Sequence, residues 1–403
     1  MRGGDTSGLR AYNERLIISS IRQNGAQSKA EIARATGLSG QAASVIVNAL
    51  LNEGILLKQD KVRGGVGQPY TPIALNPAGA YSLGIKIGRR STEAILVDFN
   101  GNTVAARETT YPAPLSEMVM PTAVTHAREL LSVLGPRNPD RIAGVGVAMP
   151  GELHEWSVEL GLPPGALDGW RGIDVAGELE AALDLPVTLY NDASAACAAE
   201  MAAGGSIICN SALYIYLGTF IGGGMVINGQ LYRGDQLNAA VIGPMPMESH
   251  DEDGRPQQLI RFASVIQLEQ ALDAAGLDGR AIISGSKGPD DSAQAVFLRW
   301  TEVAAASLAR ATVAAASIID FERVVIDGLL SPGWRDHLIV ALRQKIEGFN
   351  RAGLSPFEIV AGSIGPRARV LGAALLPLHM QFSPDTELLA RSPTAFRHSV
   401  ETQ

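Results

Sequence analysis

The sequence predicts an α/β protein with a winged-helix domain at its N-terminus, followed by a larger body of two similar lobes. Three observations support this fold class. Residues 1–77 contain three helical patterns and then a Gly-rich hairpin. Beyond Asn76-Pro77-Ala78-Gly79, strand patterns alternate with helical ones, as in α/β domains. The order strand, Gly-containing loop, strand, Asn-Gly turn, strand occurs twice, which indicates a duplicated unit whose two lobes close on a cleft.

Length and composition limit the class of protein. A chain of 403 residues suits two or three domains. No apolar run is as long as a membrane span, and the first residues lack a signal-peptide core, so we expect a soluble, cytoplasmic protein with no membrane partner. The two cysteines, Cys197 and Cys209, are too few for a disulfide framework or a cysteine zinc site. The six histidines are scattered, so we expect no metal and no cofactor.

The charge is unevenly distributed along the chain. Residues 1–76 contain nine lysines and arginines against five aspartates and glutamates, a net charge of +4. Since the whole chain has a net charge of -8, the remainder carries -12. A basic N-terminal unit on an acidic body is typical of a DNA-binding domain attached to a part that does not contact DNA.

Residues 28–54 carry the first functional prediction, which is a helix-turn-helix. Ser28 followed by Glu31 is a capping box, so a helix begins there, and Gly37 suits its C-terminal cap. Ser39 then caps a second helix after a short turn. Two short helices around a Gly-containing turn are typical of DNA-binding proteins, although a helical hairpin without this function is the alternative.

The second of these helices has one apolar and one polar side. Ala43, Val47 and Leu50 lie at i, i+4 and i+7 and are predicted to face inward. Short polar side chains on another side can hydrogen-bond base edges or phosphates. The predicted DNA-contacting residues in this part of the chain are Lys29, Ser39, Gln41, Ser44 and Asn48.

A helix over 13–24 and a β-wing complete the predicted winged helix. Strands over 55–58 and 70–75 flank the Gly-rich tip 61–69. A solvated glycine loop is the alternative, but beside a helix-turn-helix we favour a role in tracking phosphates or the minor groove. The predicted contacts of the wing are Lys61, Arg63 and Gln68.

The periodicity of the body predicts its strands and helices. We expect strands over 81–88, 92–99, 102–108, 142–148, 187–190, 213–217, 225–227, 230–232, 324–326 and 357–360. We expect helices over 115–134, 173–183, 192–203, 258–275, 293–318, 334–348 and 367–378. The long, Ala-rich helix 293–318 suits a contact between lobes or subunits, and core packing explains it equally well.

Several segments of the body together resemble the ROK family (repressors, open reading frames and kinases). These segments are Gly144–Gly151, Asp168-Gly169-Trp170, Leu189–Ala196 with its Asn191-Asp192 pair, and Leu217–Gly224. The resemblance implies an actin-like fold. It also implies lobes over 78–200 and 201–377, with residues from about 378 to 403 completing the first lobe. The segment Leu217–Gly224 resembles the family's second phosphate loop. The predicted effector-binding residues are Pro150, Gly151, Asn191, Asp192, Gly218 and Thr219.

The sequence departs from the family's kinases at several functional positions. Their first phosphate loop, Asp-x-Gly-Gly-Thr, corresponds to Lys86–Arg90, which lacks the glycines that bring backbone N–H groups to a phosphate. The Gly-Glu-Ile-Gly-His segment becomes Ala240–Pro244, and a later family glutamate becomes Ile260. The segment 248–259, where a zinc loop is expected, contains no cysteine. The resemblance therefore implies a body that is not an active kinase.

Asp192 corresponds to the base that deprotonates the acceptor hydroxyl in the kinases. Here it is interpreted as a vestigial base that contacts an effector, as the N-cap of the helix that follows, or as both. The three cations Lys86, Arg89 and Arg90 are candidates for binding an anionic effector, and a solvated basic hairpin is the alternative.

These observations favour a DNA-binding transcriptional regulator, of the repressor type, that controls carbohydrate genes and senses a sugar-like effector. Its expected partners are a double-stranded operator, the effector and further copies of the chain in a homodimer or homotetramer. The alternatives are an ATP-dependent sugar kinase with an appended DNA-binding domain, or a regulator that has lost effector binding and acts by constitutive assembly.

Overall fold

The computed structural model describes residues 6–62, 70–135 and 139–384. Its N-terminal part is a winged helix of three helices and a two-stranded sheet. The elements are α1 Thr6–Asn24, α2 Lys29–Thr36, α3 Gly40–Asn52, β1 Leu56–Lys58 and β2 Ile73–Leu75. The helix α1 begins seven residues before the predicted start at Asn13. The pairing of β1 with β2 is antiparallel, and Gln27 adds a bridge to Ile73.

The predicted caps of the helix-turn-helix are confirmed. Ser28 and Glu31 form the complete capping box of α2, and Gly37 ends that helix in the left-handed conformation at φ 69°. Ser39 caps α3 by accepting a hydrogen bond from the backbone N–H of Ala42. Because each helix begins at a side-chain cap and α2 ends at a left-handed glycine, the turn between them is determined locally.

The first lobe contains a five-stranded mixed sheet. Its elements are β3 Tyr81–Ile87, β4 Ser91–Asp98, β5 Thr103–Thr110, α4 Ser116–Ser132, β6 Ile142–Met149, α5 Val175–Leu183, β7 Val187–Asn191 and α6 Asp192–Ala203. The strand order is β5-β4-β3-β6-β7, in which the first three strands are antiparallel and β3, β6 and β7 are parallel.

The second lobe repeats this arrangement. Its sheet elements are β8 Ala212–Leu217, β9 Ile221–Ile227, β10 Gln230–Tyr232, β13 Arg323–Gly328 and β14 Glu358–Ala361, in the order β10-β9-β8-β13-β14. Between β10 and β14 lie β11 Pro246–His250, β12 Pro256–Gln258, α7 Ile260–Ala263, α8 Val265–Ala274, α9 Gly279–Ile283, α10 Asp291–Ala316 and α11 Pro332–Glu347. Because the two sheets share order and strand directions, the predicted duplication is confirmed, and the fold is a two-lobed actin-like α/β fold.

One prediction in the second lobe is wrong. The helix expected over 258–275 is interrupted at Ser264, whose extended backbone lets its hydroxyl accept a hydrogen bond from Ile221 N at 3.0 Å. The segment 248–259, where the resemblance places a zinc loop, forms part of the hairpin of β11 and β12. The carboxylate of Asp251 closes its turn by accepting hydrogen bonds from the N–H groups of Asp253 and Arg255.

The last described helix, α12 Ala368–Phe382, packs between the lobes. It lies on β3 and β6 of the first sheet and on α6. The approach is so close that a Cβ atom at Gly146 would lie 2.0 Å from Ala373 O, and one at Gly372 would lie 1.6 Å from Ala195 O. The segment that covers the first sheet therefore begins at Ala368, well before the expected position of about 378.

The winged helix and the body share one hydrophobic core. Ile17 and Ile21 of α1 belong to the same buried cluster as Phe99 of the first lobe and Leu378 of α12. Arg141, just before β6, donates hydrogen bonds to the carbonyl groups of Glu53, Gly54, Ala78 and Gly79. In the described part of the chain, no helix is both long and apolar enough to cross a membrane.

Candidate functional site

The outer face of α3 is the candidate DNA-binding surface. Ala43, Val47 and Leu50 are buried as predicted, and Gln41 and Asn48 are exposed on the other side. Lys29 of α2 reaches across to this face: its Nζ donates to Ser44 Oγ at 3.2 Å and to Asn48 Oδ1 at 2.7 Å. Three of the predicted residues, Lys29, Ser44 and Asn48, therefore form one polar cluster, with Gln41 at the N-terminal end of the same helix.

One residue of this face was not predicted. Val45 is 64% exposed on α3 although it is apolar. Its neighbours Ile46 and Val47 are buried, and an apolar residue beside them gave no reason to expect exposure. An exposed aliphatic side chain next to polar ones can contact the methyl group of thymine. Ser39 is exposed as well, but its hydroxyl oxygen is already engaged in capping α3.

The wing is described only at its base. Val62 and Tyr70 pair through two backbone hydrogen bonds, of 2.9 and 3.2 Å, and Lys61 beside them is exposed. The predicted contacts Arg63 and Gln68 lie outside the described residues.

A cavity of about 200 Å³ lies between the lobes, and we call it the cleft cavity. Four of the predicted effector residues line it: Pro150, Gly151, Asn191 and Asp192. The polar residues Glu152, Glu155 and Asn238 and the ring of Trp156 complete one side. Val241, Pro244 and Ile260 add apolar groups to the lining.

The remaining two predicted effector residues do not line this cavity. Gly218 and Thr219 form the turn between β8 and β9, and their carbonyl oxygens accept hydrogen bonds from Val265 N and Ile266 N, each at 3.1 Å. The interruption of the predicted helix at Ser264 makes these two N–H groups available. Thr219 instead lines a second cavity, described below.

Asp192 is held by a buried arginine. Arg369 of α12 donates from Nη1 to Asp192 Oδ2 at 3.2 Å, and the Arg369 side chain is only 8% exposed. Burial alone would lower the pKa of Arg369, but the neighbouring Tyr216, Asp192 and Glu93 raise it above its usual value. The interpretation of Asp192 as a helix cap is wrong. Asn191 is the cap, since its Oδ1 accepts from Ala193 N and Ser194 N, and Asp192 is the first residue of α6.

Arg89 separates the cleft cavity from the second cavity and lines both. Its guanidinium carbon lies 4.3 Å from the ring centroid of Phe220 and 5.7 Å from that of Trp156. The described residues offer it neither a hydrogen-bond acceptor nor a carboxylate in contact, and its Nε is buried. Burial lowers the pKa of Arg89 to about 10, and the effect outweighs the opposing charge of Asp192.

The second cavity, of about 580 Å³, is called the arginine cavity. The predicted cations Lys86, Arg89 and Arg90 all line it. Lys86 is buried and paired with Glu93, and its Nζ also donates to Ser91 Oγ at 2.9 Å. Burial and the charge of Arg369 lower the pKa of Lys86 to about 8, although Glu93 opposes this shift. Arg90 pairs with Glu269 of α8 and so joins the two lobes.

Several residues of these sites were not predicted. Arg369 is 177 residues from Asp192, so no local pattern could connect them. Glu152, Glu155 and Trp156 follow the predicted loop at Gly151, and their position after a strand end was the only available signal.

Two family models match the chain. The ROK family model matches residues 82–379, and a winged helix-turn-helix DNA-binding model matches residues 10–56. The chain is 25% identical to the xylose repressor of Bacillus spizizenii over 60% of this chain and 62% of that protein.

Two solved structures show the same fold. A ROK family transcriptional regulator, described as a homolog of the E. coli MLC protein, superposes with a TM-score of 0.67 at 17% identity over 95% of this chain and 98% of its own. A ROK family glucokinase from Streptomyces griseus, in complex with glucose and AMPPNP, gives a TM-score of 0.56 at 24% identity over 74% of this chain and 99% of its own.

Proposed function

This chain belongs to the ROK family and is a transcriptional regulator of it, and we propose that it represses carbohydrate genes in response to a sugar or sugar derivative. The observation that carries the proposal is the exposed polar face of α3, where Lys29 joins Ser44 and Asn48. The core shared by α1 and α12 links this face to the interlobe cleft. A ligand that changes lobe closure therefore acts on the elements that support α3.

DNA recognition is assigned to α3 and the wing. Gln41, Ser44, Val45 and Asn48 supply hydrogen-bonding groups and one apolar contact for base edges. Lys29, Lys61 and the positive charge of residues 1–76 favour binding of the phosphate backbone. We propose a homodimer or homotetramer, because two winged helices on a symmetric assembly bind half-sites about one DNA turn, ~34 Å, or a multiple of it apart.

The effector is assigned to the cleft cavity. Asp192, Glu152 and Glu155 are acceptors for sugar hydroxyl groups, and Asn191 and Asn238 can both donate and accept. Trp156 offers an aromatic face for the apolar side of a sugar ring. The xylose repressor relative and the glucose-bound glucokinase fold support a sugar as the ligand class.

Phosphoryl transfer is disfavoured by the same geometry. Transfer requires positioned phosphates, a metal ion and a free catalytic base. Here Asp192 is paired with Arg369. The resemblance to the family's kinases puts the long cationic side chains of Lys86, Arg89 and Arg90, which line the arginine cavity, at the positions of the first phosphate loop. We therefore propose that the chain acts as a regulator and not as an enzyme.

An operator-binding assay with a ligand screen tests the proposal. The promoter beside the gene is footprinted with purified full-length protein at physiological salt, and the affinity is then measured with pentoses, hexoses and amino sugars. We expect a protected palindrome and one class of sugar that lowers the affinity. No protected site contradicts the DNA-binding role. Protection that no sugar changes favours a regulator that has lost its effector.

A second assay addresses the kinase alternative directly. ADP release is followed with ATP, Mg²⁺ and the same sugars, in wild type and in Asp192→Asn. We expect no turnover above background in either protein. Sugar-dependent ADP release that disappears in Asp192→Asn establishes the kinase instead.

A further inference from the structure

The C-terminal end of α3, the helix to which DNA recognition is assigned, is held by a residue of the body. The last turn of α3 contains no basic residue, so the helix itself supplies no charge to its final carbonyl groups, which form the negative end of its dipole. Arg141, which lies 87 residues beyond Gly54, supplies this charge. Its guanidinium donates to Glu53 O at 3.3 Å and to Gly54 O at 3.4 Å.

The same guanidinium also holds the linker between the winged helix and the body. It donates to Ala78 O at 3.0 Å and to Gly79 O at 3.2 Å. Because a guanidinium is planar and carries five N–H donors, one arginine can bind carbonyl groups of two segments at once, which the ammonium of a lysine does less well. We call Arg141 and these four carbonyl groups the junction clamp.

The backbone around the junction clamp leaves room for the guanidinium. Gly54 has a left-handed φ of +73°, and a Cβ there would lie 3.0 Å from Arg141 Nη2. A Cβ at Gly79 would lie 3.1 Å from Gly54 O and from Ile55 Cα. Asn76 adds a second contact to the same end of α3, because its Nδ2 donates to Gly54 O at 2.6 Å. Two glycines and two polar side chains therefore fix the end of α3 against the linker.

The junction clamp lies at one end of a strand whose other end reaches the cleft. Arg141 directly precedes β6, an inner strand of the first sheet that pairs with β3 and β7. Pro150 and Gly151 follow this strand and line the cleft cavity. Its eight residues span about 26 Å at a rise of ~3.3 Å per residue. The orientation of α3 is therefore tied to a rigid element of the body.

We propose that Arg141 is a positioning residue for DNA recognition, and that the junction clamp sets the distance between half-sites that the protein accepts. With the clamp in place, α3 has one orientation on the body, so two copies in a symmetric assembly present their helices at one spacing. Without it the winged helix keeps its hydrophobic core, to which Arg141 does not belong. The spacing rests on the proposed function, since it requires a homo-oligomer, whereas the holding of α3 by Arg141 does not.

Fluorescence anisotropy on the full-length protein tests the spacing. The labelled DNAs are a single half-site, the full operator and operators whose half-sites are moved apart or together by a few base pairs. Arg141→Ala should bind the single half-site within about twofold of wild type and the full operator about 10-fold more weakly, because a loosely held second helix has a lower effective concentration. The variant should also lose most of the preference for the native spacing. Arg141→Lys keeps the charge without the planar fork, so we expect intermediate values.

Hydrogen exchange measured by mass spectrometry tests the junction clamp without DNA. The N–H groups of Ile55, Asn76 and Gly79 form backbone hydrogen bonds of 2.9, 2.9 and 2.7 Å beside the clamp. They should exchange about 10-fold faster in Arg141→Ala than in wild type. The control is Arg128→Ala, because Arg128 also donates to a backbone carbonyl, at 2.9 Å, but this carbonyl belongs to α5 in the first lobe. This control should change neither the exchange of these groups nor the spacing preference.

The outcomes separate this proposal from the proposed function. Unchanged exchange in Arg141→Ala, or a spacing preference equal to that of wild type, overturns the assignment of Arg141. An equal loss of affinity for the half-site and the full operator also overturns it, because Arg141 then supports the fold of the winged helix and not its position. If Arg141→Ala fails to fold, Arg141→Lys carries the same comparisons. A wild type that binds no operator contradicts the proposed function, and the exchange result still decides whether Arg141 holds α3.

Discussion

Asp192 accepts a hydrogen bond from Arg369 at 3.2 Å. Arg369 lies in the first turn of α12, and the last residue of this helix, Phe382, packs against Phe99 with ring centroids 4.6 Å apart. Phe99 in turn contacts Arg22 of α1, whose guanidinium lies 4.9 Å from the ring centroid and donates to the Phe99 carbonyl. The helix α12 therefore connects the cleft with the DNA-binding domain. Its 15 residues span about 22 Å.

This connection predicts that Phe382→Ala uncouples the effector from DNA binding. The variant loses the edge-on contact of a half-buried ring, at a cost of about 2 kcal/mol in the free energy of unfolding. We expect operator affinity without effector to stay within about threefold of wild type. The change in operator affinity that the effector causes should become close to zero. Fluorescence anisotropy with labelled operator, with and without the effector, measures both quantities.

Phe357→Ala is the matched control for this prediction. Phe357 is also half-buried and forms an edge-on pair with Phe321, with ring centroids 5.4 Å apart, but it lies at β14 and away from α12. We expect a similar loss of stability and a normal response to effector. Equal loss of response in both variants means that general destabilisation, and not α12, is responsible.

A second prediction concerns the packing of α12 on α6. Gly372 and Ala195 lie three residues beyond Arg369 and Asp192 on the same two helices, and an added Cβ would lie 1.6 Å from Ala195 O. Gly372→Ala should therefore force the helices apart and lower the free energy of unfolding by about 3 kcal/mol or more. Gly333→Ala, in α11, adds a Cβ with nothing within 4 Å. It should be neutral or stabilising by up to about 1 kcal/mol. Chemical denaturation measures the free energy of unfolding of both variants. If Gly372→Ala and Gly333→Ala change it equally, the close packing of α12 on α6 is not the cause of the loss.

Local signals predicted most of the winged helix and the duplication of the body. The capping box at Ser28 and Glu31, the cap at Ser39 and the left-handed Gly37 are determined within a few residues, so the sequence alone predicted them correctly. The two Asn-Gly turns and the alternation of strands and helices likewise predicted the duplication. These features depend on propensities and hydrogen bonds within one turn or one hairpin.

The features that escaped prediction depend on contacts between distant segments. Ser264 interrupts a good helical pattern because its hydroxyl oxygen accepts a hydrogen bond from the backbone N–H of Ile221 in β9. Arg369 reaches Asp192 only when α12 folds against α6. Val45 resembles a core residue by type, and only the packing of the three helices leaves it exposed. Tertiary contacts of this kind have no periodicity in the sequence.

A third prediction follows from the buried pair of Lys86 and Glu93. Glu93→Gln leaves the Lys86 ammonium with Ser91 but without a carboxylate in contact, so we expect the free energy of unfolding to fall by about 3 kcal/mol at pH 6.5. The charged groups around Lys86 are Glu93, Arg369 and Asp192. Removal of Glu93 lowers the pKa of Lys86 further, because the carboxylate raises it in wild type.

The pH dependence of this loss has a definite sign. In wild type the pKa of Lys86 is lowered from 10.5 to about 8, so the penalty for burying its charge is full below pH 8 and is relieved as the pH rises toward 10.5. At pH 9.5 Lys86 is largely neutral in both folded proteins, and we expect the difference between them to shrink to about 1 kcal/mol. Chemical denaturation at pH 6.5 and at pH 9.5 measures the difference in the free energy of unfolding between wild type and Glu93→Gln. The control is Glu129→Gln, which breaks an exposed pair with Arg107 and should cost less than about 1 kcal/mol at both. If Glu93→Gln loses the same free energy of unfolding at both pH values, the charge of Lys86 is not the cause of the loss.

A fourth prediction separates the two kinds of contact on the DNA-binding face. Lys29→Ala should weaken binding to every sequence by a similar factor and reduce the slope of log K against log salt by about one, because a phosphate contact is lost. Gln41→Ala should cost about 1–3 kcal/mol on the preferred operator and relax the choice of base at one position, because Gln41 is exposed at the start of α3.

The control is Gln23→Ala, which removes an exposed glutamine of α1 and should change neither the operator affinity nor the choice of base. Binding of a set of operators, each with one base pair changed, is measured at several salt concentrations. If Gln41→Ala weakens all of them equally, its role is to contact phosphate, and base recognition then belongs to Val45 and Asn48.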